Sequence, residues 1–136
     1  MSTLPKRRLT IGEYLEIEEA AEYKSEYYQG EMFAMSGVSW IHDLVAGNVG
    51  AVLRQKLQDR PCFVNTSDMR IHVPATTLFT YPDASVTCGE PKFLKKGRST
   101  STLLNPTLII DVLSESTEGY DRGRKFEIGP LECDPV

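Results

Sequence analysis

The chain has 136 residues, enough for one domain with one modest hydrophobic core. Its 40% hydrophobic and 25% charged residues exclude an intrinsically disordered chain, and its net charge of −4 argues against a protein that coats nucleic acid without specificity. Six acidic residues and one basic residue lie between Thr10 and Glu26, so the rest of the chain is almost neutral and its basic clusters can still form a local positive surface.

Two further classes of protein are disfavoured. The longest apolar run, 108–113, contains an aspartate and is far shorter than the ~20 residues of a membrane span. The basic residues near the N-terminus have no apolar segment behind them, so we expect a cytoplasmic protein without a signal peptide. The three cysteines form no CxxC motif, which indicates neither a zinc site nor a disulfide framework.

The first half of the chain predicts helix, hairpin and helix. Thr10 and Glu13 have the spacing of a capping box, which predicts a helix from Ile11 to Ala21. Two strand-like segments around Gln29-Gly30 predict a hairpin. Apolar residues at helical spacing then predict a long amphipathic helix over 39–59, with a serine as its N-cap.

The second half of the chain is rich in strand-like segments. Strands are predicted around 62–64, 68–73, 81–88 and 107–113, with His72 on a solvated face and an exposed basic loop over 90–102. A last helix begins near Thr117 and ends at Gly129-Pro130, before an irregular tail. We therefore expect one domain over 1–136 with a core over about 10–128. The expected class is α/β (mixed α+β), a mixed sheet flanked by helices, and we expect its C-terminal end to be truncated.

Three acidic side chains are candidate site residues. Asp111 interrupts the apolar run 108–113, which predicts a strand covered on both faces, and a carboxylate there is strongly destabilised unless it is paired, protonated or bound to a metal. Asp83 follows Pro82 at the start of another predicted strand. Glu31 shares a strand face with apolar residues that look like core.

Two basic side chains complete the set. Lys125 follows Asp111 by 14 residues. The predicted last helix begins near Thr117 and runs back along the strand, and the eight residues to Lys125 span about 12 Å along the helix axis. Lys125 and Asp111 can therefore lie side by side. His42 lies near the start of the second predicted helix. It is a candidate metal ligand, a candidate general base, or a candidate hydrogen-bond donor to a group that binds the metal.

Each candidate also has a purely structural explanation. Asp111 can be a strand-end residue bonded to the backbone or to an arginine, and Asp83 can belong to a turn. Glu31 can lie at a hairpin edge, Lys125 on a solvated helix face, and His42 can cap or pack.

Together these residue types point to one chemistry. Converging carboxylates bind a hard divalent cation through oxygen, and such a cation activates water and stabilises charge on a phosphoryl group. A lysine nearby can hold the water or neutralise the phosphate. The combination is typical of phosphodiester hydrolysis, and no phosphate-binding glycine loop, GxSxG or HExxH motif supports a rival reaction.

At these residues the chain resembles the bacterial Uma-type restriction-endonuclease family, within the PD-(D/E)XK nuclease superfamily. The resemblance runs from Tyr14 to Phe126. The matching segments are 24–31 (KSEYYQGE), His42 with Gly47-Asn48, 67–71 (SDMRI), 81–86 (YPDASV), 105–114 (NPTLIIDVLS) and 120–126 (YDRGRKF).

The resemblance implies a restriction-endonuclease-like fold and a role for each candidate. Asp83 and Asp111 would be the metal ligands of the PD-(D/E)XK site, with Glu31 as a further ligand and His42 beside them. Position 113 is a leucine, so the lysine role would pass to Lys125. The implied cofactor is Mg²⁺ or Mn²⁺ and the implied substrate is DNA. A homodimer is expected, because a second copy would cover an exposed sheet edge.

Three functional hypotheses follow. The first is a Mg²⁺-dependent DNA endonuclease. The second is a catalytically degenerate or truncated relative that binds nucleic acid without cleaving it. The third is a non-enzymatic assembly protein whose buried carboxylates are structural, which predicts no effect of metal on the melting temperature.

Overall fold

The computed structural model describes residues 8–35, 37–95 and 100–113. No helix within these ranges is long and apolar enough to cross a membrane. The described elements are, in chain order, α1 (Ile11–Ala20), β1 (Ser25–Tyr28), β2 (Glu31–Ala34), α2 (Trp40–Leu57), β3 (Cys62–Thr66), β4 (Arg70–Val73), β5 (Leu78–Thr80), β6 (Ala84–Cys88), β7 (Thr102–Leu103) and β8 (Leu108–Ile110). The mixed α/β class predicted from the sequence is confirmed.

The N-terminal helix and hairpin form as their local sequence predicts. The Glu13 amide donates to Thr10 Oγ1 (3.1 Å) and the Thr10 amide donates to Glu13 Oε1 (3.0 Å), so the capping box is complete. Gln29 and Gly30 both have positive φ (45° and 89°). That conformation matches the twist of a two-residue hairpin turn, which joins β1 to β2.

The strands form two sheets joined by a short connector. One has the order β2-β1-β5-β4-β7, with only β4 and β7 parallel, and the other has the antiparallel order β3-β6-β8. Residues 81–83 lead directly from β5 into β6, and so from the larger sheet into the smaller one. Helix α2 packs against β3 and β6 of the smaller sheet.

An aromatic cluster forms the core between α1 and the larger sheet. The ring centroid of Tyr14 lies 5.0 Å from the ring centroid of Tyr27 and 5.0 Å from that of Phe79. Leu15 completes the cluster. Tilted and edge-on contacts of this kind add to the stabilisation from burial. Burial strongly raises the pKa of Tyr14, whose hydroxyl donates to the Ser25 carbonyl (2.7 Å).

A buried polar network joins α1 to the sheet. Tyr81 donates to Glu18 Oε2 (2.6 Å), which also accepts from the Ser25 amide (2.9 Å). Arg70 donates to Tyr81 Oη (3.3 Å) and to Thr102 Oγ1 (2.8 Å). Glu18, one of the six acidic residues between Thr10 and Glu26, is thus buried as a structural acceptor.

The prediction that His72 is solvated is wrong. His72 is 5% exposed and stacks on Phe79 with the ring centroids 3.9 Å apart. The alternation of β4 is real, but β4 lies inside the sheet between β5 and β7 and all four of its residues are buried. Strand position therefore overrides the polar character of one face, and burial lowers the pKa of the imidazole.

The cysteine spacing indicated no disulfide framework, yet the described residues contain a disulfide. Cys62 on β3 and Cys88 on β6 are directly opposed in the antiparallel ladder, and their sulfurs are bonded. Pairing in the sheet brings together two residues that are 26 positions apart in the sequence. Spacing alone cannot reveal this, because it does not contain the strand register.

Helix α2 has apolar residues on two faces, although one core-facing stripe was expected. The face towards the sheet contains half-buried residues, among them His42, Leu53 and Leu57. The opposite face is exposed, and its large apolar side chains are Trp40, Ile41, Leu44, Val45 and Val52. No residue of the helix is fully buried within the described structure.

The strand predicted over 107–113 is shorter and less covered than expected. Strand β8 spans Leu108–Ile110, and its three residues are half-buried. Asp111 follows the last paired residue, so it lies at the strand end and not inside a strand covered on both faces. The predicted last helix, Lys125 and the tail lie outside the described residues.

Candidate active site

Asp83 and Asp111 lie at the same end of the β6·β8 ladder. The last pair of this ladder is Ala84 with Ile110, and Asp83 and Asp111 are the residues immediately beyond it on the two strands. Two acidic residues that are distant in the sequence therefore lie at the same end of the ladder.

A backbone hydrogen bond ties the two strand ends together at this point. The Val112 amide donates to Asp83 Oδ2 (2.6 Å), a short charge-assisted bond from the residue that follows Asp111. The bond fixes the orientation of the Asp83 carboxylate and the position of the chain that carries Asp111.

His42 lies against the same strand ends. Its Nε2 is 2.9 Å from the Val112 carbonyl oxygen and 3.3 Å from Asp83 Oδ2. The His42 and Asp83 side chains are only 18% and 17% exposed. The Ser39 hydroxyl caps α2 by accepting from the His42 amide (3.1 Å), which places the histidine in the first helical turn, over the end of the small sheet.

The connector that carries Asp83 is held from its other side as well. Tyr81, two residues earlier, points its hydroxyl at Glu18 and Arg70 in the buried network. Burial, with the hydrogen bond to Glu18, raises the pKa of Tyr81 to about 12. Asp83 therefore lies between the buried Tyr81 side chain, two residues before it, and β6, which begins at the next residue.

The remaining candidates are not equally placed. Glu31 is an exposed residue at the start of β2, an edge strand of the larger sheet, whereas Asp83 and Asp111 adjoin strands of the smaller sheet. Lys125 lies outside the described residues. The roles given to both residues stay predictions.

The donor set at the strand ends suits a magnesium-like cation. Mg²⁺ is usually bound by one or two carboxylates, with water and phosphate oxygens completing its shell. Asp83 and Asp111 supply two such carboxylates. Within residues 8–35, 37–95 and 100–113, no group of three or more His, Cys, Asp or Glu side chains is arranged to hold a metal ion.

Sequence reasoning missed the Val112 backbone as part of the site. Its amide and carbonyl contact Asp83 and His42, yet its side chain carries no chemical signal. The only available clue was its place directly after Asp111. Ser85 follows Asp83 by two residues, and its hydroxyl is buried with no hydrogen-bond partner in the described part of the chain.

The chain matches a known family and a known fold. The family model Uma2, described as "Putative restriction endonuclease", matches residues 11–128. The crystal structure of "a putative nuclease belonging to DUF820" from Anabaena variabilis superposes with a TM-score of 0.68 at 17% sequence identity, covering 88% of this chain and 66% of that chain. That likeness shows the fold, and it confirms the predicted nuclease-like architecture.

Two curated proteins of Synechocystis sp. (strain ATCC 27184 / PCC 6803 / Kazusa) are similar in sequence. The uncharacterised protein slr1290 is 38% identical over 124 residues, which is 91% of this chain, and sll1609 is 39% identical over 118 residues, which is 87%. The chain spans 63% and 66% of the lengths of these relatives. Because the Uma2 model covers nearly all of the described structure, the chain belongs to the Uma2 family of restriction-endonuclease-like proteins.

Proposed function

We propose that the protein is a divalent-metal-dependent endonuclease that hydrolyses phosphodiester bonds in DNA through a PD-(D/E)XK-type site. The observation that carries the proposal is the hydrogen bond from the Val112 amide to Asp83 Oδ2 (2.6 Å), which holds the residue after Asp111 against Asp83 at one end of the β6·β8 ladder. Family membership and the nuclease-like fold support it. In this proposal Mg²⁺ or Mn²⁺ is the cofactor and DNA is the partner.

The two aspartates would hold the metal. A bound divalent cation there supplies an activated water and stabilises negative charge on the phosphoryl group. Asp83 contributes a carboxylate whose orientation is fixed by the Val112 amide, and Asp111 contributes the other one. Orientation before substrate binding lowers the reorganisation needed during the reaction.

Glu31 and Lys125 complete the proposal by resemblance. Lys125 would hold the attacking water or neutralise the phosphate, and Glu31 would position water or add a ligand. The net acidic charge of the chain favours a short, local contact with DNA over a broad basic surface.

The test is plasmid cleavage by the purified protein with Mg²⁺, Mn²⁺ or EDTA. We expect nicking with metal, and its loss in both Asp83→Asn and Asp111→Asn. Asp59→Asn is the matched control, because it makes the same chemical change at an exposed residue beyond α2. Cleavage in EDTA, or cleavage that survives both site substitutions, would refute the proposal.

A module that binds nucleic acid without cleaving it is the second candidate. It is favoured because no group of three or more His, Cys, Asp or Glu side chains within the described residues is arranged to hold a metal ion. Salt-sensitive DNA binding with no nicking at any Mg²⁺ or Mn²⁺ concentration would support this alternative, and nicking would exclude it.

A further inference from the structure

We infer that His42 is a positioning residue that clamps the end of β8 through its Nε2 proton, and that it is neither a metal ligand nor a general base. The inference rests on the proposed function for its catalytic meaning. Its structural content, a defined proton position and a defined backbone contact, stands on geometry alone.

The first step concerns the proton on Nε2. A carbonyl oxygen can only accept a hydrogen bond, and the Val112 carbonyl lies 2.9 Å from His42 Nε2. The nitrogen must therefore carry a hydrogen, whether the ring is neutral or cationic. A nitrogen that donates this bond has no lone pair to offer to a metal or to a water proton.

The second step concerns the other ring nitrogen. His42 Nδ1 is buried and has no hydrogen-bond partner in the described part of the chain. In this conformation a metal ion or a water molecule does not reach a nitrogen that has no exposed surface. Both nitrogens are thereby removed from direct chemistry.

The third step is what the clamp holds. The carbonyl of Val112 is bonded to His42 and its amide is bonded to Asp83 Oδ2, so both polar backbone groups of this residue are fixed. Asp111 is the residue immediately before it. His42 therefore sets the spacing of the two carboxylates by acting on Asp111 through the backbone of its neighbour.

A ring-nitrogen NMR experiment tests the proton position directly. The chain contains two histidines, and they provide opposite references. His72 Nδ1 lies 3.1 Å from the Leu78 carbonyl oxygen, so His72 should carry its proton on Nδ1, while His42 carries one on Nε2. A long-range ¹H–¹⁵N spectrum of the folded protein separates these states. A bare Nε2 on His42 would overturn the inference.

Substitutions test the clamp. The amide nitrogen of glutamine takes the place of Nε2, whereas leucine fills similar space without a donor. We expect His42→Leu to weaken Mg²⁺ binding by about 10- to 100-fold, the usual effect of losing a group that supports a metal ligand. His42→Gln should remain within about 3-fold of the wild type in metal affinity and in kcat. A His42→Gln variant as impaired as His42→Leu would overturn the clamp.

The outcomes separate this inference from the proposed function. If the wild type neither binds metal nor cleaves DNA, the proposed function fails. The inference that His42 clamps Val112 is then still tested by the ring-nitrogen spectrum and by the hydrogen-exchange rate of the Val112 amide. That amide should exchange faster in His42→Leu and at the wild-type rate in His42→Gln. Equal exchange in all three proteins would overturn the inference, and if His42→Leu does not fold, the wild-type spectrum and His42→Gln give the decision.

Discussion

The Cys62–Cys88 bond should contribute a measurable part of the stability of the fold. It links β3 to β6 and closes a loop that contains β4, β5 and the connector to Asp83. For residues 26 positions apart, the chain-entropy relation gives about 3.5 kcal/mol at 25 °C. We expect reduction to lower the free energy of unfolding by about 3–4 kcal/mol.

The assay is urea unfolding of the oxidised protein with and without a phosphine reductant. Cys133→Ser provides the background, because it removes the third cysteine and with it thiol exchange. In that background the denatured, unreduced chain should contain no reactive thiol. Cys62→Ser combined with Cys88→Ser should reproduce the reduced protein.

Two results would refute this reasoning. A difference below about 1 kcal/mol would mean that the loop is already restricted in the unfolded chain or that the bond is strained. Two reactive thiols in the denatured, unreduced Cys133→Ser protein would mean that the sulfurs are not bonded at all.

Three further changes test interactions within the fold. The pKa of Tyr81 is raised to about 12, so the stability that its protonated hydroxyl contributes is present below the unfolded-state pKa near 10 and is lost as the pH rises towards 12. Between about pH 10 and 12, the free energy of unfolding measured in urea should fall by about 2–3 kcal/mol more in the wild type than in Tyr81→Phe. His72 has a lowered pKa, so its stabilisation is present above about pH 6.5 and is lost on acidification; His72→Gln should flatten the stability curve between pH 7 and 5, and an unchanged slope would contradict the burial argument. Thr10→Ala should lower the free energy of unfolding, measured in urea, by about 1 kcal/mol. Thr10→Ser keeps the capping oxygen and should therefore retain most of the wild-type stability.

Local signals in the sequence predicted the local structure well. The capping box at Thr10, the hairpin at Gln29-Gly30 and the N-cap at Ser39 all form, because each depends on contacts within a few residues. The strand β5 was missed, since three residues carry too little periodicity to be recognised.

Signals that depend on strand order were not available from the sequence. The burial of His72, the buried acceptor role of Glu18 and the disulfide all follow from which strands are neighbours. A metal site shared by Asp83 and Asp111 was expected from a resemblance and stays a prediction; the register puts both residues at the same end of the β6·β8 ladder. The contacts of His42 with a backbone group could not be predicted, because no side-chain type marks a carbonyl oxygen.

The connector between the two sheets has a consequence for how this protein can change over evolution. Asp83 is two residues from Tyr81, whose hydroxyl is bonded to Glu18 on the N-terminal helix. A mutation on that helix can therefore shift the acidic pair without touching it. Substitutions in α1 and conservation of the two aspartates are therefore linked. Homologues that replace Glu18 should also replace Tyr81 or Arg70.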